Sequence, residues 1–150
     1  SALMASLIAQ ARDSHDSLGG AVDLRVTGLP VGLGEPVFGK LKALLAAAFA
    51  SVGAVTGVSW GLADVARAVA VPGSRFHESP RAYGGIQGGL STGAPLEARV
   101  YFKPPASIGE HAERGRHDPC IVPRAVSVIE AMAALTLADL LLQHRAWPPP

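Results

Sequence analysis

The run Gly115-Arg116-His117-Asp118-Pro119-Cys120-Ile121-Val122-Pro123-Arg124-Ala125-Val126 sets three polar side chains immediately ahead of a proline-started apolar segment. Proline has no amide hydrogen to lose in a first helical turn and its φ is already helical, so Pro123 marks a helix start. From there Val126, Ile129, Met132, Ala133, Leu137, Leu140 and Leu141 keep a 3.6-residue period. The pattern predicts a helix to about His144, stopped by Trp147-Pro148-Pro149-Pro150. A long helix with one apolar face needs a layer to lie on.

That layer is written upstream. Val22, Leu24 and Val26 alternate with Asp23, Arg25 and Thr27, the period of a half-buried strand. Val55–Trp60, Val65–Val71 and Leu96–Phe102 predict further strands, the last ended by Pro104-Pro105. Leu3, Leu7, Ile8 and Ala11 give a short amphipathic helix ending near Asp13. After the turn-rich Gly28–Gly34, Pro36 opens a predicted helix from Val37 to about Val52, with Leu41, Leu44, Leu45, Ala48, Phe49 and Val52 inward and Lys40 and Lys42 on the wetter side. The expected class is α+β, long helices packed against an antiparallel sheet, with residues 1–150 forming one domain.

Of the 150 residues, 49% are apolar and 17% charged, too little charge to cover a typical monomer surface. Burial of part of the outside against another subunit, or against further polypeptide, is expected. A net charge of +1 without a Lys/Arg cluster argues against nucleic-acid binding. A single cysteine forms no internal disulfide and suits a cytoplasmic, reducing compartment. No charged leader opens the sequence, and Asp139 interrupts the longest apolar helix, so no membrane span is expected.

The candidate chemistry lies in turns. Arg116 offers a planar fork of donors and Lys103 a point cation at a strand end, a pair able to clamp an anion or simply two solvated cations. Asp118, held by Pro119, either caps the following turn or serves as a proton-handling carboxylate. Cys120 precedes an apolar run and reads as a small core residue. Gly88, within Gly84–Gly93, permits close backbone approach to a flat ligand or a tight turn only. No strand is predicted into that segment and no helix clearly out of it, so it is not a dinucleotide fingerprint. Gly53 equally suits a helix stop. His111, His117 and Cys120 lack a fourth ligand and paired spacing, so no metal site is assigned.

The Gly115–Val126 run, Gly84–Gly93 leading to Lys103-Pro104, Asp16–Gly20, and Gly28–Phe38 together resemble the chorismate synthase family. The resemblance covers nearly the whole chain but only the C-terminal part of that enzyme. The family's acid–base histidines and its Ser/Arg-rich flavin loop belong to the part without a counterpart here. Two loops, from Gly73-Ser74 to Gly84 and from Lys103-Pro104 to Gly115, are shorter than the family pattern, either as true deletions or as segments left out. The implied fold is a β-α-β sandwich assembled as a homotetramer. The implied reaction is reduced-FMN-dependent elimination of phosphate from 5-enolpyruvylshikimate 3-phosphate to give chorismate. By that resemblance Gly53, Ala54, Gly88, Lys103, Pro104, Pro105, Ala106, Ser107 and Arg116 contact FMN. Arg116 also meets substrate phosphate, and Asp118 relays a proton beside the flavin. The family's polar residue at position 105 is replaced by proline. Readings from other classes are a non-catalytic flavin- or phosphate-binding module and a plain oligomerisation domain.

Overall fold

Alternation along one strand organises the molecule: Leu96, Ala98, Val100 and Phe102 are buried on one face, with Glu97, Arg99 and Tyr101 on the other. The computed structural model describes residues 2–61, 83–110 and 118–146. In chain order these form α1 (Ala2–Asp13), β1 (Gly20–Val26), α2 (Leu41–Ala50) and β2 (Val55–Trp60). A short hairpin follows, β3 (Ile86–Gln87) and β4 (Leu90–Ser91), then β5 (Leu96–Phe102) and α3 (Val122–Ala146).

The sheet runs β1-β5-β2, antiparallel throughout. Val22 sits opposite Val100, Leu24 opposite Ala98 and Val26 opposite Leu96, so the apolar rows of both strands share a face. A bulge between Val55 and Gly57 adjusts β2. Leu41, Leu45 and Phe49 of α2 and Ile129, Ala133, Leu137 and Leu140 of α3 cover the apolar face. Each of these side chains apart from Ala133 contributes roughly 1.5–3 kcal/mol.

The other face is polar. Arg99 donates to Asp23, directly opposite in register, at 2.6 and 2.8 Å, and Arg25 lies 3.5 Å from Glu97. The hydrogen bonds from Arg99 hold the Asp23 carboxyl below its ordinary value against a smaller upward push from burial, and Asp23 in turn raises Arg99. One helix layer on one face of an antiparallel sheet is the expected α+β class.

Local expectations fared unevenly. β1, β2, β5 and α3 form where the periodicity put them; Val65–Val71 lies outside the described residues. Helix α2 starts at Leu41 rather than Val37. Glu35 donates to the Gly39 carbonyl at 2.8 Å and Val37 adopts a left-handed φ of 65°, so Pro36–Gly39 closes as a turn. Helix α1 forms, yet only Ala11 is buried, while Leu3, Met4 and Leu7 stay exposed. Its apolar stripe is covered only toward its end, where Ile8 is half-buried and Ala11 buried. By length and composition alone α3 could cross a membrane, contrary to the expectation that Asp139 interrupts it too early. Here it is the core helix under β1 and α2.

Candidate functional site at the end of strand β5

Beyond Phe102 the chain continues as Lys103-Pro104-Pro105-Ala106-Ser107, and its first amide, from Lys103, donates to the Ala54 carbonyl at 2.9 Å. Two separate sequence blocks thereby meet. The turn after α2 is not a glycine stop: Ser51 caps with right-handed φ and ψ, Gly53 has no positive φ, and Ala54 takes the left-handed conformation at 68°. For a residue with a Cβ that geometry costs on the order of 1–2 kcal/mol. Nothing lies within 4 Å of a Cβ built on Gly53, so this turn faces open space.

A third block binds the others together. Ser17 Oγ donates to the Pro105 carbonyl at 2.6 Å, Leu18 N–H to the Pro119 carbonyl at 2.7 Å, and Gly109 N–H to the His15 carbonyl at 2.8 Å. Gly19 is required by contact, because a Cβ there would lie 2.6 Å from the Phe102 carbonyl oxygen and 3.1 Å from Pro104 Cδ. Asp16–Gly20 thus clips the strand-end loop to Asp118-Pro119-Cys120.

Asp118 is fixed from the helix. Arg124 Nη1, in the first turn of α3, donates to its Oδ2 at 2.7 Å, leaving Oδ1 without a partner among the described residues. The Asp118 side chain is 25% exposed, enough to meet a ligand. Lys103 is exposed and carries no ion pair among the described residues. Arg116 and His117 lie outside the described residues. Cys120 is half-buried against the core, and among the described residues no cluster of three metal-ligating side chains occurs.

Gly88 belongs to another place. It lies in the β3–β4 turn, whose Gly89 carbonyl receives the Leu41 amide at the start of α2, whereas Gly53-Ala54 follows the end of that helix. The ten residues of α2 separate the two by about 15 Å. Among the described residues, the hollow beside Gly88 is lined by Lys40, Lys42, Tyr83 and Ile86–Gly89 and not by the Lys103 loop. Sequence reasoning missed the Ser17 clip and the Arg124 partner. Ser17 lay inside a block singled out for its pattern, and Arg124 follows Asp118 by six positions, one turn into a foreseeable helix.

An α+β layer with its polar loops gathered at one strand end is the class of protein seen here. A family model described as chorismate synthase matches residues 1–142, and the chain belongs to the chorismate synthase family. It is 49% identical over 145 residues to the chorismate synthase of Bdellovibrio bacteriovorus, covering 96% of this chain and 41% of that protein. The Roseiflexus castenholzii chorismate synthase is 44% identical over 170 residues, covering 96% and 47%. A crystal structure of chorismate synthase superposes with a TM-score of 0.77 at 29% identity, over 95% of this chain and 43% of that one. The chain thus spans less than half the length of these relatives. Taking in 96% of 150 residues with 145 aligned positions leaves almost no gap, so the short spacing between blocks is shared with the Bdellovibrio protein.

Proposed function

We propose that this chain supplies the C-terminal wall of the active site of a chorismate synthase. The reaction is anti-1,4-elimination of phosphate from 5-enolpyruvylshikimate 3-phosphate to give chorismate. One observation carries the reading: blocks far apart in sequence, each with the family's pattern, converge at the end of β5 through the Lys103–Ala54, Ser17–Pro105 and Leu18–Pro119 hydrogen bonds.

The residues present suit a flat, anionic cofactor. Small and prolyl side chains leave room for a planar ring at Gly53, where a Cβ would meet nothing within 4 Å, and Lys103, whose amide bonds the Ala54 carbonyl, lies beside it with no ion pair among the described residues. FMN, bound reduced, supplies electron density to the substrate ring. Lys103 and Arg116 hold phosphate oxygens and lower the cost of the charge that develops as phosphate leaves. Asp118, oriented by Arg124 through Oδ2, accepts a proton at Oδ1. Pro104 and Pro105 stiffen the wall and exclude water. Gly88, near the start of α2, meets the same extended cofactor from its own chain or from a neighbouring copy, the latter fitting a homotetramer. Exposed Leu3, Leu135 and Leu142 supply surface for that association or for the remainder of the family polypeptide. A cytoplasmic location accords with the lone cysteine.

Flavin fluorescence and chorismate formation test the reading. FMN fluorescence quenched on titration, and restored by Arg116→Ala or Lys103→Gln, is expected. Chorismate is expected only when the rest of the family polypeptide is present. Because the chain spans less than half of its relatives, a flavin-binding module without turnover is the second reading. Flavin binding without chorismate from the complete polypeptide selects it; no flavin binding at all overturns both.

A further inference from the structure

At the start of α2, away from the strand-end site, a hollow of about 530 Å³ is lined by Lys40, Lys42, Tyr83 and the Ile86–Gly89 strand and turn. Its polar inventory is one-sided. Both lysines face it, and among the described residues no carboxylate lines it and neither lysine makes an ion pair or hydrogen bond. Two ammonium groups in one concavity repel unless an anion lies between them.

The turn adds donors. Gly88 at φ 59° and Gly89 at φ 94° form a two-residue hairpin connection with both central residues left-handed. Neither glycine amide donates a hydrogen bond among the described residues, although Gly89 is buried. Buried amides without a partner are rare in folded chains. Gly89 also serves Lys40: a Cβ at 89 would come within 2.8 Å of Lys40 Cδ, so the lysine stem rests directly on the turn.

We infer that this hollow is an oxyanion subsite that takes the phosphate group of a phosphorylated small molecule, held by the Lys40 and Lys42 ammonium groups and the Gly88 and Gly89 amides. A phosphate presents several acceptor oxygens to these donors and removes the repulsion between the lysines. The inference rests on the flavin reading only through Gly88, and the bearer of the phosphate is either FMN or a phosphate source other than flavin.

The test is glycine-selective amide NMR of the chain titrated with inorganic phosphate, with sodium chloride at matched ionic strength as the reference. Saturable shifts at Gly88 and Gly89 are expected, with affinity falling about tenfold in Lys40→Gln/Lys42→Gln. Gly89→Ala, which displaces the Lys40 stem, should weaken phosphate in the same direction; far-ultraviolet dichroism of both variants checks that the fold is kept. FMN acting at lower concentration than phosphate, with riboflavin silent at these two amides, makes flavin the bearer. A lysine-dependent phosphate response without any response to FMN keeps the subsite and removes Gly88 from the flavin site. Shifts no larger than those from sodium chloride, or unchanged in the double lysine variant, overturn the subsite whatever flavin does elsewhere.

Discussion

Replacing Gly19 with alanine tests whether the strand-end site is held together by backbone contact. The added Cβ would sit 2.6 Å from the Phe102 carbonyl oxygen, 3.1 Å from Pro104 Cδ and 3.2 Å from Pro104 N. Ordinary carbon–oxygen contacts begin near 3.3 Å, so about 0.7 Å must be found. No side-chain rotation can supply it, because the obstacle is main chain at the end of a strand paired on both sides. Such overpacking costs typically 1–3 kcal/mol. For a chain of this size, 2 kcal/mol lowers the melting temperature by about 4–8 °C. The displaced part is the Lys103–Ser107 wall, so FMN quenching should weaken together with stability. Gly53→Ala is the internal control: with nothing within 4 Å of the new Cβ and no positive φ, it should melt within about 1 °C of the parent. A Gly19→Ala protein that melts and binds flavin like the parent would refute the argument.

Four more outcomes are expected. Ser17→Ala, by removing the 2.6 Å bond to Pro105, should cost about 1–2 kcal/mol in chemical denaturation and loosen flavin binding. Ala54→Gly should raise stability by about 0.5–1 kcal/mol, since the left-handed φ of 68° suits glycine better. Phe49→Ala, at a fully buried position, should cost about 3–5 kcal/mol and leave the chain partly unfolded at 37 °C. Asp23→Asn should cost about 0.5 kcal/mol at neutral pH, as both partners are nearly half exposed. Because the folded Asp23 carboxyl is held below its ordinary 3.8, that contribution is full above this value and is lost as pH falls through the lowered one. Parent and variant should therefore converge in acid denaturation.

The sheet and the long helix were legible because a single buried face imposes one period: Val22, Leu24 and Val26 declare a strand, and Ile129, Ala133, Leu137 and Leu140 a helix, without reference to anything distant. The start of α2 was not. Pro36 signals a helix, but the Glu35–Gly39 hydrogen bond and the Gly89 cap on Leu41 are made by partners that local pattern does not name. The hairpin at Gly88-Gly89 did carry a signal, two glycines between short apolar-polar pairs, which the strand criterion passed over for want of length. Blocks of the site were readable as sequence. Their distribution was not, since only the pairing of β5 with its neighbours puts Lys103 beside Ala54 and leaves Gly88 at the other end of α2.

The Ser17–Pro105 hydrogen bond joins positions 88 residues apart, and Leu18 reaches still further along the chain to Pro119. Contacts of such sequence separation form only after the intervening polypeptide has collapsed, whereas helix α3 is local and can appear within microseconds. Refolding should consequently recover ellipticity well before it recovers the Ser17–Pro105 and Leu18–Pro119 closure of the strand-end loops. During synthesis, the wall matures only once residues up to Arg124 have left the ribosome.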